Sequence, residues 1–176
     1  MSLLNTPSIK NATDEVEDIY NEIESIFGFV PNGIQLWSAN PKALKSQWKH
    51  IKESLNQDQK KQKLHTIIRY LVSAESNCSY CVGFNGGILI NMYNITQEEL
   101  IAISQNPSTA PLENKNKALL LFAMKSIKDA NSITKEEIES LKNFGISEIE
   151  LFDIVHFASH MLVVNTLFKT FNVQQD

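Results

Sequence analysis

Cysteine is nearly absent from this sequence: there are two in 176 residues, and they stand together as Cys78 and Cys81. That scarcity excludes a disulfide framework and a four-cysteine zinc site. Glycine and proline are also sparse, at six and five residues, which excludes collagen-like and low-complexity chains. There is no basic excess either. The net charge is −4, and the Lys60, Lys61, Lys63 cluster reads as the solvated start of a helix, so general nucleic-acid binding is not expected. The longest unbroken apolar run, Ala118 to Met124, is far short of a membrane span. No secretory leader is readable in M-S-L-L-N-T-P-S-I-K. The expectation is a cytoplasmic protein with no membrane partner, where a C-x-x-C more often serves catalysis or metal binding than a permanent bridge.

What remains is ordinary for a globular chain, with 43% apolar and 20% charged residues. The reading is a loose arm over residues 1–11 and one domain over 12–176. Val16, Ile19, Tyr20, Ile23 and Phe27 recur at three- and four-residue intervals, predicting a helix from Asp14 that stops at Gly28. Pro31 and Pro41 each open a further helix. Asp58 or Gln59 begins another, with Leu64, Ile67, Ile68, Leu71 and Val72 as its buried stripe, ending near Ser76-Asn77. Capping boxes follow at Thr96 with Glu99, Thr134 with Glu137, and Ser147 with Glu150. The final helix, to about Asn172, is apolar nearly all round and needs cover from its own domain or a neighbouring subunit. No alternating run argues for strands. The predicted fold class is all-α.

The chemistry-bearing residues gather around the two cysteines. Asn77 reads as an N-cap, so a helix from Cys78 to about Tyr93 would put Cys78, Cys81 and Asn85 on one face. The positive end of the helix dipole favours thiolate over thiol and is a known route to a lowered cysteine pKa. A redox pair, half of a zinc site and two buried inert thiols all fit a C-x-x-C. Zinc would need ligands from His50, His65, His156 and His160, none at finger-like spacing. Gly83, Gly86 and Gly87 fall at three- and four-residue spacing and suggest close approach by another helix, whereas a G-x-G-x-x-G phosphate loop is excluded by spacing. His156 and His160, at i and i+4, suit either one metal ion or a core or interface role. Arg69 shares a helix face with Thr66 and reads either as a charge near a thiolate or as a solvent-facing residue. The direction of Glu75 is open.

The stretch N-C-S-Y-C-V-G-F-N after an apolar helix, with the early F-G-F-V-P-N and the late N-T-L-F-K-T-F-N, resembles the alkylhydroperoxidase AhpD / carboxymuconolactone decarboxylase superfamily. The redox branch of that family has a Glu, eleven residues, C-x-x-C, three residues and a His. Here Cys78 and Cys81 match, while Thr66 stands for the Glu and Asn85 for the His. The resemblance implies a single-domain, oligomer-forming AhpD-like helical bundle, as trimer or hexamer. It implies a thiol-dependent peroxidase whose site comprises Cys78, Cys81, Asn85 and Thr66. Its partners would be a peroxide and an external dithiol or a thioredoxin- or lipoyl-type reductant. No flavin, haem or nicotinamide motif is visible, so no cofactor is expected. The replaced Glu and His keep a second expectation open: a non-enzymatic redox-sensing or binding module on the same scaffold.

Overall fold

The computed structural model describes residues 2–176, and among them every regular element is helical. Backbone packing groups the chain into two compact units. One holds the described residues through Gln57 together with Leu167–Asp176; the other is Asp58–Thr166.

In the first unit, α1 (Asp14–Phe27) buries Val16, Ile19, Tyr20 and Ile23, the stripe its periodicity predicts. Gly28 ends it at φ +79, donating its N–H to the Glu24 carbonyl; a Cβ would strain that left-handed backbone. α2 (Asn32–Trp37) follows Pro31. α3 (Pro41–Leu55) is capped by Asn40, whose side chain accepts from the N–H groups of Lys42 and Ala43. The core of this unit runs from Ala12 to Trp48 and includes Ile23, Val30, Ile34 and Leu44. Residues 2–11 contain one 3-10 turn, Ile9–Asn11, and the Leu3 N–H donates to the Phe171 carbonyl at 2.8 Å.

The second unit is built around α4 (Gln59–Glu75). Asp58 caps it by accepting from the Lys61 N–H. Every residue of α4 from Leu64 through Ser73 is buried apart from half-buried Arg69. Such a helix needs cover on several sides, and α5 (Ser79–Tyr93) and α7 (Asn114–Lys128) pack against it. Between them lies α6 (Gln97–Gln105), opened by the Thr96–Glu99 capping box. α8 (Lys135–Asn143) starts at Thr134, whose side chain accepts from the Glu137 N–H. α9 (Glu148–Thr170) is the longest helix. Close backbone approach does not occur at Gly86 or Gly87. A Cβ on Gly86 would meet the Tyr70 ring at an ordinary 3.6 Å, and one on Gly87 would meet nothing within 4 Å.

α9 is covered on one side only. Leu151, Ile154, Phe157, Ala158, Met161 and Val164 are buried, while Ile149 and Phe152 are more than 70% exposed. By length and composition α9 also has the makings of a membrane span, with mean hydropathy 1.4 over its most apolar stretch, 44% of which is buried within the protein.

Candidate active site

The turn between α4 and α5 places the two sulfurs, and its geometry corrects the role expected of Asn77. Asn77 sits in the left-handed region at φ +53, as the residue that ends α4 rather than the one that caps α5. Its N–H donates to the Ala74 carbonyl, and the next N–H, of Cys78, donates to the Ser73 carbonyl, both at 3.0 Å. This pair of bonds is a Schellman closure, in which asparagine tolerates the left-handed position better than most residues. Cys78 therefore serves both helices, as the last residue of the closure and as the N-cap of α5.

Cys78 and Cys81 are both free thiols, each 2% exposed. Their Sγ atoms lie 2.9 Å apart in a hydrogen bond, too long for a disulfide and close enough to become one through a small side-chain rotation. The helix terminus does not lower the Cys81 thiol as expected. Its pKa is pushed up, first by the hydrogen bond to Cys78 and then by burial, with a lesser opposing bond from Ser73. Sharing a proton with a neighbouring sulfur in a dry site outweighs the field of one helix end.

One turn along α5, Asn85 is buried and donates from Nδ2 to the Cys81 carbonyl at 2.8 Å. Its Oδ1 accepts from Arg69 Nε at 3.0 Å. Arg69 Nη2 in turn donates to Thr66 Oγ1 at 2.9 Å, and Thr66 donates to the Gln62 carbonyl. Thr66 and Asn85 are thus joined through Arg69. The Arg69 guanidinium also lies over the Phe157 ring, 5.9 Å from its centroid. It is half-buried and bonds the two polar side chains rather than a sulfur. Burial pulls its pKa down to about 10.

Two further polar residues belong to this site. Ser73 and Asn165 are wholly buried. The Ser73 hydroxyl contacts the Arg69 carbonyl at 2.6 Å and Asn165 Oδ1 at 3.1 Å, besides the Cys81 thiol. Asn165 Nδ2 donates to the Val72 carbonyl. A signal for Ser73 existed: Thr66, Arg69 and Ser73 form a polar stripe at three- and four-residue spacing on an otherwise apolar helix. Asn165 is a lone amide in an apolar run.

The other candidates lie elsewhere. His65 is buried and stacks on Phe157 with ring centroids 3.9 Å apart. His156 is exposed and stacks on Phe152. Glu75 pairs with Lys128 on α7 at 2.7 Å.

By sequence, no family model and no curated protein matches the chain. Solved structures do match. One is described as an alkylhydroperoxidase AhpD core, an uncharacterized peroxidase-related protein from Ralstonia eutropha JMP134. It superposes with a TM-score of 0.83 at 22% identity, over 99% of this chain and 92% of that one. This is the AhpD-like fold. An uncharacterized peroxidase-related protein from Silicibacter sp. TM1040 has the same coverage, with a TM-score of 0.82 and 19% identity. The debrominase Bmp8, in complex with 2,3,4-tribromopyrrole, matches with a TM-score of 0.72 at 19% identity over 100% and 94% of the two chains. At these identities the likeness concerns the fold. Within the AhpD-like fold, this chain joins Thr66 and Asn85, two neutral side chains, through one arginine.

Proposed function

We propose that the chain is a thiol-dependent peroxidase in antioxidant defence, working through the Cys78/Cys81 dithiol. The observation that carries the reading is the 2.9 Å contact between two free thiols on the first turn of a helix in an AhpD-like fold. A thiolate attacks the outer oxygen of a hydroperoxide, the O–O bond breaks, and the sulfur becomes a sulfenic acid while the alkoxide takes a proton. The second sulfur then attacks the first, the S–O bond breaks, and water leaves. In sum, ROOH and two thiols give ROH, water and one disulfide, which an external dithiol or a thioredoxin- or lipoyl-type protein resets by exchange. The contact with Cys78 and burial raise the Cys81 pKa, so we assign Cys78 as the attacking cysteine and Cys81 as the resolving one. Neither Thr66 nor Asn85 titrates near neutrality, so they orient groups rather than carry protons.

Thiol titration before and after peroxide tests this, with two thiols lost per chain as the expected result. If both thiols survive excess peroxide in folded protein, the second reading takes over, a redox-sensing or binding module. What favours that reading is the neutral pair at Thr66 and Asn85. Under either reading we propose that the chain self-associates through the open side of α9, where Ile149 and Phe152 stand exposed.

A further inference from the structure

Arg69 is the only arginine in the chain, and its charge is not answered. A guanidinium carries five N–H donors in a rigid fork. Two acceptors meet it, Asn85 Oδ1 at Nε and Thr66 Oγ1 at Nη2, and both are neutral. Among the described residues no carboxylate pairs with Arg69, whereas glutamates pair with lysines at several places. A half-buried cation without a counter-ion is a costly placement, and burial already weakens its hold on the proton. The expense makes chemical sense if an anion completes the site.

The position suits a substrate group. Asn85 bonds Arg69 through Oδ1 and the Cys81 carbonyl through Nδ2, so the guanidinium is held by a residue one helical turn from the resolving cysteine, roughly 6 Å along the axis. Phe157 supplies an apolar floor beneath it. Tyr93 is near enough to act on the Arg69 charge. It also lines an open depression of about 290 Å³ that bears Lys63 and Lys60, the latter paired with Glu113. Arginine is the residue whose planar fork matches a carboxylate in bidentate fashion.

We propose that Arg69 is an anion-recognition site beside the dithiol, and that the oxidant is an organic hydroperoxide bearing a carboxylate. The second half rests on the peroxidase reading above; the first does not. The carboxylate is unchanged in the reaction. The hydroperoxide is reduced to the alcohol, the two thiols are oxidised to the disulfide, and one water is released.

Calorimetric titration of the reduced protein with hexanoate and with hexanamide tests the anion site without turnover. Hexanoate should bind at least about tenfold more tightly, the effect of one charge-assisted hydrogen bond. Arg69→Gln should erase that difference and Arg69→Lys should keep part of it. Equal affinity of the parent for both probes overturns the site, as does a preference that survives in Arg69→Gln. If Arg69→Gln does not fold, the parent's own comparison decides. A second arm follows dithiol oxidation by a tertiary hydroperoxide with a carboxylate two methylenes away, and by its methyl ester. The kcat/KM ratio should favour the acid at least about tenfold and fall toward unity in Arg69→Gln. Equal rates for acid and ester in the parent overturn the substrate class. Oxidation by tert-butyl hydroperoxide with no hexanoate preference sinks the anion site alone and leaves the peroxidase standing. Hexanoate preference with thiols inert to all three peroxides sinks the peroxidase reading and the substrate class with it.

Discussion

Arg69 Nε donates to Asn85 Oδ1 at 3.0 Å, across from α4 to α5. The same guanidinium reaches Thr66, so it occupies the space between the two positions that the sequence resemblance aligns with Glu and His of the redox branch. Simply restoring those residues therefore places a carboxylate beside an unpaired cation. The carboxylate will pair with Arg69, stay ionised, and make a poor base. Thr66→Glu with Asn85→His is expected to raise single-turnover peroxide oxidation by less than about tenfold. Adding Arg69→Gln to that pair should carry the gain past tenfold, the lower part of the range for general acid–base catalysis. A tenfold gain from the double variant alone would show that Arg69 does not capture the new carboxylate.

The proposed order of attack follows from the raised pKa of Cys81, caused by its bond with Cys78 and by burial. Cys81→Ser should therefore trap a sulfenic acid with a dimedone-type probe, whereas Cys78→Ser should label weakly. Ser73 is the group that lowers the Cys81 pKa, so Ser73→Ala should prolong the life of the sulfenic acid on Cys78 in otherwise parental protein. It also strips Asn165 of a buried partner, at about 1–3 kcal/mol of stability. Equal labelling of the two cysteine variants would refute the assignment.

Glu150 gives the second unit an acid limb. Its hydrogen bond from Lys115 and its capping role at Ser147 pull its pKa from 4.5 to about 2. A carboxylate lowered on folding adds stability above its unfolded pKa, and that stability is lost as pH falls from about 4.5 toward about 2. The side chain is 34% exposed, so the contribution is held to about 1 kcal/mol. Urea midpoints of the parent and Glu150→Gln should differ near pH 7 and converge across that acid window. A constant gap down to pH 2 would assign the difference to something other than this carboxylate.

The open side of α9 yields a prediction about mass in solution. Phe152 is 72% exposed and Ile149 73%, large apolar surface that a free monomer would leave in water. Light scattering should give the parent a mass above that of one chain, and Phe152→Glu should lower it without changing helical content. A monomeric parent would remove α9 as an assembly face.

Where the helices lie was legible because the deciding forces are local. Asn40, Asp58, Thr96 and Thr134 each cap a helix with a side chain two or three residues from the N–H it accepts, and the three- and four-residue apolar stripes lie within the helices they predict. The C-x-x-C spacing likewise guarantees that two sulfurs share one face of a helix start, whatever else surrounds them. Asn77 was misread because the preceding helix competed for it: a Schellman closure needs a left-handed residue there, and that need is written in backbone geometry.

The electrostatics of the site came from packing alone. Ser73 meets Asn165 across 92 positions of sequence, and Phe157 lies under Arg69 from a third helix. Desolvation is a sum over every neighbour in space, so no spacing in the chain foretells that the Cys81 pKa is raised or that Arg69 is half-buried without a counter-ion. Local pattern determined that this protein is a bundle of helices with a dithiol at the head of one of them. Only the tertiary structure decided which charges that dithiol faces, because burial and field depend on distance through space.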